Sequence, residues 1–374
     1  MCTRVHMMCI VVHMTGAVLP IVTDDALDDL RRRVRATRRS RRPGRDDSRR
    51  GIDGSYLDVL LERWAEKYDW RVHEQRIHAL PWESTGTGEN ELRLIHQRST
   101  DPEAPVVVLL HGWPDSVLRF ERLLPRLGGY HVVVPALPGF PFAPPLTTTG
   151  MSVVRMAEIV AAGTAELGYE RYVVSAGDVG GDVAEVLAAA HPDRVTALHL
   201  TNVSPRHAAT VDPGALAPDA REYLAEAGRW FRTEGGYIAE QSTRPNTLAV
   251  GLGDSPAGLA AWIVEKLVGW SDVTGGIETV FTQDEILTWV TAYWLTDTIG
   301  TSFSPYVEAA AFPARVETPT VVSAFAHDTK PAPRSYVETF VPVRDFVEHA
   351  NGGHFAAWER PAEYAADLDR AVRL

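Results

Sequence analysis

Four short stretches hold residue types suited to nucleophilic chemistry. The first, Val173-Val174-Ser175-Ala176-Gly177-Asp178-Val179-Gly180-Gly181, runs from an apolar β-type segment through small residues and one carboxylate into the helical pattern Ala184–Ala190. Such a strand-to-helix turn strains its apex residue and leaves no room for bulky neighbours, so glycine stands on both sides. The apex is Asp178. A carboxylate there suits displacement at a saturated carbon and leaves an ester whose carbonyl belongs to the protein. Hydrolysis of that ester needs a base, an acid to orient the base, and donors for the oxyanion. Gly352-Gly353-His354-Phe355, read as a loop before the last helix, offers His354 as the base. Ala326-His327-Asp328, just past the carboxyl end of a strand, offers Asp328 as the orienting acid. Asp345 and Glu348 are rival acids, less well placed between a late strand and His354. In Leu110-His111-Gly112-Trp113-Pro114 the backbone N–H of Trp113 falls opposite that of Val179, which makes the two donors.

These residues need a sheet to hold them. Leu92–His96, Val106–Leu110, His131–Pro135, Tyr172–Ala176, Val195–Leu200 and Thr320–Phe325 read as strands, several apolar throughout, as in a parallel sheet covered on both faces. Helical patterns at Val117–Leu127, Val153–Leu167 and Asp182–Ala190 lie between them, so the expected core is an α/β, mostly parallel, doubly wound sheet. Between about 204 and 312 the strand rhythm stops and helical segments with Trp, Tyr and Gly replace it, which reads as an inserted helical lid. The chain order Asp178, Asp328, His354 then matches the nucleophile, acid, base order of the α/β-hydrolase arrangement, with Asp in the place of Ser. The expected division is a leader at 1–14, a wrapping extension at 15–90, a core at 91–203 and 313–374, and a lid at 204–312.

At 374 residues with 45% apolar content, the chain can bury one large core and carry an insertion. Its 49 Asp and Glu against 37 Lys and Arg give a net charge of −12, which argues against nucleic acid and fits a small uncharged ligand. Cys2 and Cys9 are the only cysteines, so the body has neither a disulfide framework nor a CxxC metal site. Residues 1–14 are mildly apolar, interrupted by His6 and His13, and followed by no small-x-small cleavage site. They read as a disordered leader before a true start at Met14 rather than as an export signal. No apolar run reaches the ~18 residues of a membrane span, and the expected location is the cytoplasm. Helices are expected near Asp24–Val34 and Ser55–Tyr68, with the Arg-rich run 31–50 between them read as a solvated helix end and loop.

Further motifs resemble the epoxide hydrolases of the microsomal, juvenile-hormone and fungal branch of the α/β-hydrolase superfamily. Tyr68-Asp69-Trp70-Arg71 through Leu80-Pro81-Trp82 looks like that branch's N-terminal extension, and His111-Gly112-Trp113-Pro114 and Pro135-Ala136-Leu137-Pro138-Gly139-Phe140 match its two core turns. The lid run Thr233-Glu234-Gly235-Gly236-Tyr237 through Arg244-Pro245, and Asp254-Ser255-Pro256-Ala257-Gly258-Leu259 through Glu265-Lys266, are more specific. The resemblance extends from about residue 17 onward. It implies that two lid tyrosines donate hydrogen bonds to the epoxide oxygen, Tyr237 and, in Phe303-Ser304-Pro305-Tyr306, Tyr306. Tyr223 and Tyr293 read as ordinary packed aromatics. The family's usual Trp after the nucleophile is Val179 here, which leaves the backbone N–H unchanged and the pocket wall smaller.

The resulting expectation is an epoxide hydrolase, an ether-bond hydrolase that takes a small-molecule epoxide and water to a vicinal diol without metal or organic cofactor. Trp113, Pro114, Val179 and Phe140 are expected to contact substrate. Two alternatives use the same fold. A haloalkane-type dehalogenase would need indole or amide donors at the positions of Val179 and Trp113, and a non-catalytic ligand-binding homologue would not need the triad. The sequence leaves the oligomeric state open, a homo-oligomer included.

Overall fold

Polar caps start the first helices of the chain, which a computed structural model describes at residues 19–39, 41–308 and 310–374. The expected leader at 1–14 and the start at Met14 lie outside the described residues. Thr23 caps α1 (Asp24–Arg35), which buries Leu27, Leu30 and Val34, and its acidic first turn and basic last turn match the helix dipole. Asp53 caps α2 (Gly54–Glu66), and Asp69 caps α3 (Trp70–His78). Several arginines between 31 and 50 enter surface ion pairs, such as Arg35 with Glu66 (2.8 Å) and Arg49 with Asp47 (2.8 Å). This is the solvated face that the interleaved charges imply.

Eight strands follow: β1 (Trp82–Thr85), β2 (Leu92–Gln97), β3 (Val106–Leu110), β4 (His131–Pro135), β5 (Tyr172–Ala176), β6 (Val195–Leu200), β7 (Thr320–His327) and β8 (Val343–Gly353). Their order is β1-β2-β4-β3-β5-β6-β7-β8, with β1–β2 and β2–β4 antiparallel and every other pair parallel. The middle strands are apolar because both faces are covered, and Val107, Leu109, Val133, Val174 and Leu198 are fully buried. Helices α4 (Val153–Glu166) and α5 (Val179–Ala190) connect β4 to β6 through β5. In-register pairing of Leu110 with Ala176 and of Ala176 with Leu200 brings the carboxyl ends of β3, β5 and β6 to one level, where open α/β sheets keep their sites.

Between β6 and β7 the described residues form six α-helices: α6 (Pro218–Glu234), α7 (Gly236–Thr243), α8 (Pro245–Asp254), α9 (Pro256–Trp270), α10 (Gln283–Thr296) and α11 (Ser304–Val307). A capping box between Thr282 and Glu285 starts α10. Two salt bridges tie these helices to the N-terminal ones: Arg63 holds Asp284 through two hydrogen bonds of 2.6 and 2.7 Å, and Arg33 reaches Asp254 at 2.8 Å. Helices α12 (Arg334–Val337), α13 (Ala356–Glu359) and α14 (Pro361–Val372) complete the described chain. Among the described residues no single helix is long and apolar enough to cross a membrane. The pair α8–α9 together would suffice by length and composition only, but it is bent by 114° and much of α9 is buried.

Three expectations need correction. Val117–Leu127 is not an α-helix but two 3₁₀ turns, Val117–Phe120 and Leu124–Arg126, with Pro125 unable to donate to a preceding carbonyl. The helix expected from Asp182 starts at Val179, because Asp178 itself is the cap. Gly352 and Gly353, expected to open a loop, instead end the edge strand β8, and His354 lies in the short turn that follows. That strand was hidden by Arg344, Asp345, Glu348 and His349, the charged dress of an exposed edge.

Candidate active site

Asp178 sits at φ 55°, ψ −137°, a backbone region that side chains rarely occupy and that costs about 1–3 kcal/mol. Close packing holds it there. A Cβ at Gly180 would collide with the carbonyl oxygens of Leu110 and His111, and one at Gly112 with the Asp178 carboxylate itself, so both positions admit only glycine. The Asp178 N–H donates to Asn202 Oδ1 at 2.9 Å, just past β6. The N–H groups of Trp113 and Val179 both donate to Asp178 Oδ1, at 2.8 and 2.7 Å. The other oxygen, Oδ2, faces His354 Nε2 at 3.4 Å.

His354 comes from the carboxyl end of β8 and Asp328 from that of β7; His354 Nδ1 lies 2.8 Å from Asp328 Oδ1, which also accepts the Thr329 N–H at 2.6 Å. Asp345 and Glu348 lie along β8, where Asp345 pairs with Arg370 at 2.6 Å. Burial pushes the His354 pKa down, but the Asp328 carboxylate, joined by Asp178, outweighs it and raises it to about 10. Burial pushes Asp328 up, and the facing His354 more than offsets this, so its pKa is lowered.

Three residues that sequence reasoning missed fix this histidine and the Asp178 turn it faces. Arg119, fully buried, donates to the His354 carbonyl at 2.5 Å and pairs with Asp115 at 2.6 Å. Asp115 is pushed up by burial and down by Arg119, which wins and leaves it at about 2. Glu359 accepts from the N–H groups of Asp272, Gly353 and Phe355 at 2.8, 2.9 and 3.0 Å, closing the turn around His354. Asn202 is the third, through its bond to the Asp178 backbone. Only the Asp115–Arg119 spacing carried a signal, that of a local ion pair.

Tyr237 and Tyr306 meet above Asp178, ring centroids 6.2 Å apart. Tyr237 stacks flat on Trp113 (5.2 Å, 7°), and Tyr306 meets the same indole edge-on (6.1 Å, 83°). Burial first, then the Asp178 charge, raises both phenols well above their ordinary pKa and keeps them protonated. A cavity of about 130 Å³ joins Asp178, Asp328 and His354 to both tyrosines and to an apolar wall of Tyr223, Trp230, Phe231 and Ile238. Val179 lines it as expected, and so does Tyr223, read from sequence as ordinary packing. Trp113, Pro114 and Phe140 do not. The Trp113 indole lies beneath Tyr237, Pro114 is buried, and Phe140 packs edge-on against His111 at 5.1 Å. Tyr293 is packed, its hydroxyl donating to the Asp115 carbonyl at 3.0 Å. Among the described residues no group of three or more His, Cys, Asp or Glu is arranged to hold a metal ion.

The model of the epoxide hydrolase N terminus matches residues 19–120, and that of the alpha/beta hydrolase fold matches residues 105–234. Over 370 residues the chain is 37% identical to a Stigmatella aurantiaca protein assigned as an epoxide hydrolase, spanning 94% of this chain and 83% of that one. The chain belongs to the epoxide hydrolase family. This epoxide hydrolase is also similar to solved structures. An enantioselective mutant of the Aspergillus niger epoxide hydrolase superposes with a TM-score of 0.84 at 31% identity, covering 94% of both chains. The juvenile hormone epoxide hydrolase of the silkworm Bombyx mori does so with 0.84 at 26% identity, covering 94% of this chain and 92% of that one. The protein is a hydrolase of the α/β-hydrolase fold that opens small-molecule epoxides with water.

Proposed function

We propose that Asp178 is the nucleophile of this epoxide hydrolase. Its Oδ2 attacks one oxirane carbon, that carbon's bond to the ring oxygen breaks, and Tyr237 or Tyr306 gives the departing oxygen a proton. The product is a hydroxyalkyl ester on Asp178, with Oδ1 as the carbonyl oxygen between the Trp113 and Val179 N–H groups. Esterification cancels the Asp178 charge that helps hold the His354 proton. The imidazolium then yields that proton, which replaces the one lost by the tyrosine. Neutral His354, oriented by Asp328, takes a proton from water as the oxygen attacks the ester carbonyl. Collapse of the tetrahedral intermediate returns the proton to the leaving diol oxygen and frees the Asp178 carboxyl.

The observation that carries this reading is the division of the carboxylate: both N–H donors fall on Oδ1, while Oδ2 is the oxygen that faces His354. Tyr223, Trp230 and Phe231 suit an apolar, aryl-bearing epoxide. Asp178→Ala, followed by chromatography of styrene-type, aliphatic and polycyclic epoxides, tests it. Diol formation is expected to stop with the thermal transition retained; wild-type turnover in the variant, or halide release from haloalkanes without diol formation by the wild type, contradicts the reading.

We also read residues 15–90 as the wrapping extension, 204–312 as the lid, and 91–203 with 313–374 as the core. The break between strands and helices after β6 and the salt bridges from α1 and α2 to α8 and α10 support that division. The net charge of −12 supports a small-molecule substrate over nucleic acid, and a cytoplasmic place of action and any homo-oligomer are part of the same proposal. Fractionation of expressing cells and sedimentation of the purified protein test these last two.

A further inference from the structure

The lid motif ending in Glu265-Lys266 has no part in the chemistry described so far. Yet Lys266, on α9, is buried, with its side chain 7% exposed, and its ammonium pairs with Glu265 at 2.9 Å. A buried ammonium is unfavourable unless its lost hydration is replaced. Two aromatic rings supply the remainder. The Lys266 nitrogen lies 4.8 Å from the centre of the Tyr237 ring and 5.9 Å from that of Trp270. Tyr237 is stacked on Trp113 and also tilted against Trp270 at 5.2 Å, so its orientation over the cavity depends on this cluster.

The charges around Tyr237 differ in what they do during ring opening. Asp178 and Glu265 both oppose negative charge on the phenol oxygen. Asp178 loses its charge on forming the ester, but Glu265 keeps its own, and Lys266 is the cation beside the ring. We propose that Lys266 is a positioning residue for epoxide opening: held by Glu265, its ammonium fixes the Tyr237 ring and stabilises the charge that gathers on the Tyr237 oxygen as the carbon–oxygen bond breaks. That stabilisation grows only as the bond breaks, so it acts on rate rather than on substrate affinity. The inference rests on Tyr237 acting as a donor.

The test uses the full chain with styrene oxide as probe, following ester formation by quenching of tryptophan fluorescence and ester breakdown by single-turnover diol release. Lys266→Met and Lys266→Gln are expected to slow ester formation by about 2- to 30-fold, the range of a cation–π contact, with the dissociation constant of the initial epoxide complex and ester breakdown unchanged. Lys266→Arg restores the rate. In a Tyr237→Phe background Lys266→Gln adds nothing, because its route is gone. Lys266→Gln keeps a hydrogen bond to Glu265 and serves where the methionine variant does not fold. Equal slowing of both steps, or the same loss in the Tyr237→Phe background, overturns the proposal as a merely structural effect. A slowed Tyr237→Phe beside an unaffected Lys266→Gln removes Lys266 alone. Unchanged ester formation in Tyr237→Phe removes the donor and this inference together.

Discussion

The floor and the roof of the cavity are built on different principles. The floor is made from strand ends: Asp178, His354 and Asp328 hang from the carboxyl ends of β5, β8 and β7, and backbone N–H groups, Asn202, Arg119 and Glu359 fix them through hydrogen bonds. The roof is made from aromatic faces. Tyr237 and Tyr306 rest on Trp113 and Trp270, and among the described residues none hydrogen-bonds their hydroxyls. On the proposed mechanism the floor holds a charged nucleophile in a strained turn before and after it reacts, which demands preorganised donors. The roof has only to meet an oxygen that the substrate brings. A site of this kind concentrates its stability below and keeps unused hydrogen-bonding capacity above.

Breaking the roof gives the largest separation between activity and stability. Tyr237→Phe and Tyr306→Phe should each slow ester formation by roughly 10- to 1,000-fold, and the double variant should nearly stop it. Because neither hydroxyl has a hydrogen-bond partner among the described residues, urea unfolding of the single variants should stay within about 1 kcal/mol of wild type. An unchanged rate in Tyr306→Phe would assign the second donor to another lid residue.

Breaking the floor should do the reverse. Arg119→Met strands the fully buried Asp115 carboxylate and frees the His354 carbonyl, and urea denaturation should show a loss of about 3–5 kcal/mol. A variant as stable as wild type would mean that the floor owes its rigidity to packing rather than to this pair.

Charge coupling across the floor should be visible without turnover. The His354 imidazole should titrate near 10 in the wild type by NMR and lower in Asp178→Ala, where one of its two carboxylate partners is gone. The folded value lies above the ordinary ~6.5 of the unfolded chain, so the group's contribution to stability is fully present below that value and is lost as pH rises through about 10. An imidazole that titrates identically in both proteins would uncouple the two residues.

The same contrast explains what the sequence disclosed. Asp178 was legible because the backbone conformation of its turn demands glycines at fixed places, and Gly112 and Gly180 stand where a Cβ would strike the carboxylate or a carbonyl. His354 and Asp328 were legible from their order and from the largely apolar strand segment Thr320–Phe325. The edge strand β8 was not, since exposure replaces its apolar alternation with charge. Nor could spacing reveal Arg119, whose partner carbonyl is 235 residues away, or Asn202 and Glu359, whose bonds are made to backbone and not to a chemically marked side chain. The roof was legible only through resemblance, and the cavity lining does not include Trp113, Pro114 or Phe140, since a residue beside the chemistry in sequence can support the lining from behind.

The covalent role of Asp178 is tested most directly in His354→Gln. Removing the base leaves Oδ2 free to attack and the two N–H groups in place on Oδ1, but leaves no group to take the proton of the hydrolytic water. Mixed with a good epoxide and examined by intact and peptide mass spectrometry, the variant should gain the mass of one substrate on the peptide that contains Asp178 while diol release nearly ceases. A variant shown to bind the epoxide that never carries that adduct would instead mean direct attack by water, and Asp178 would not be the nucleophile.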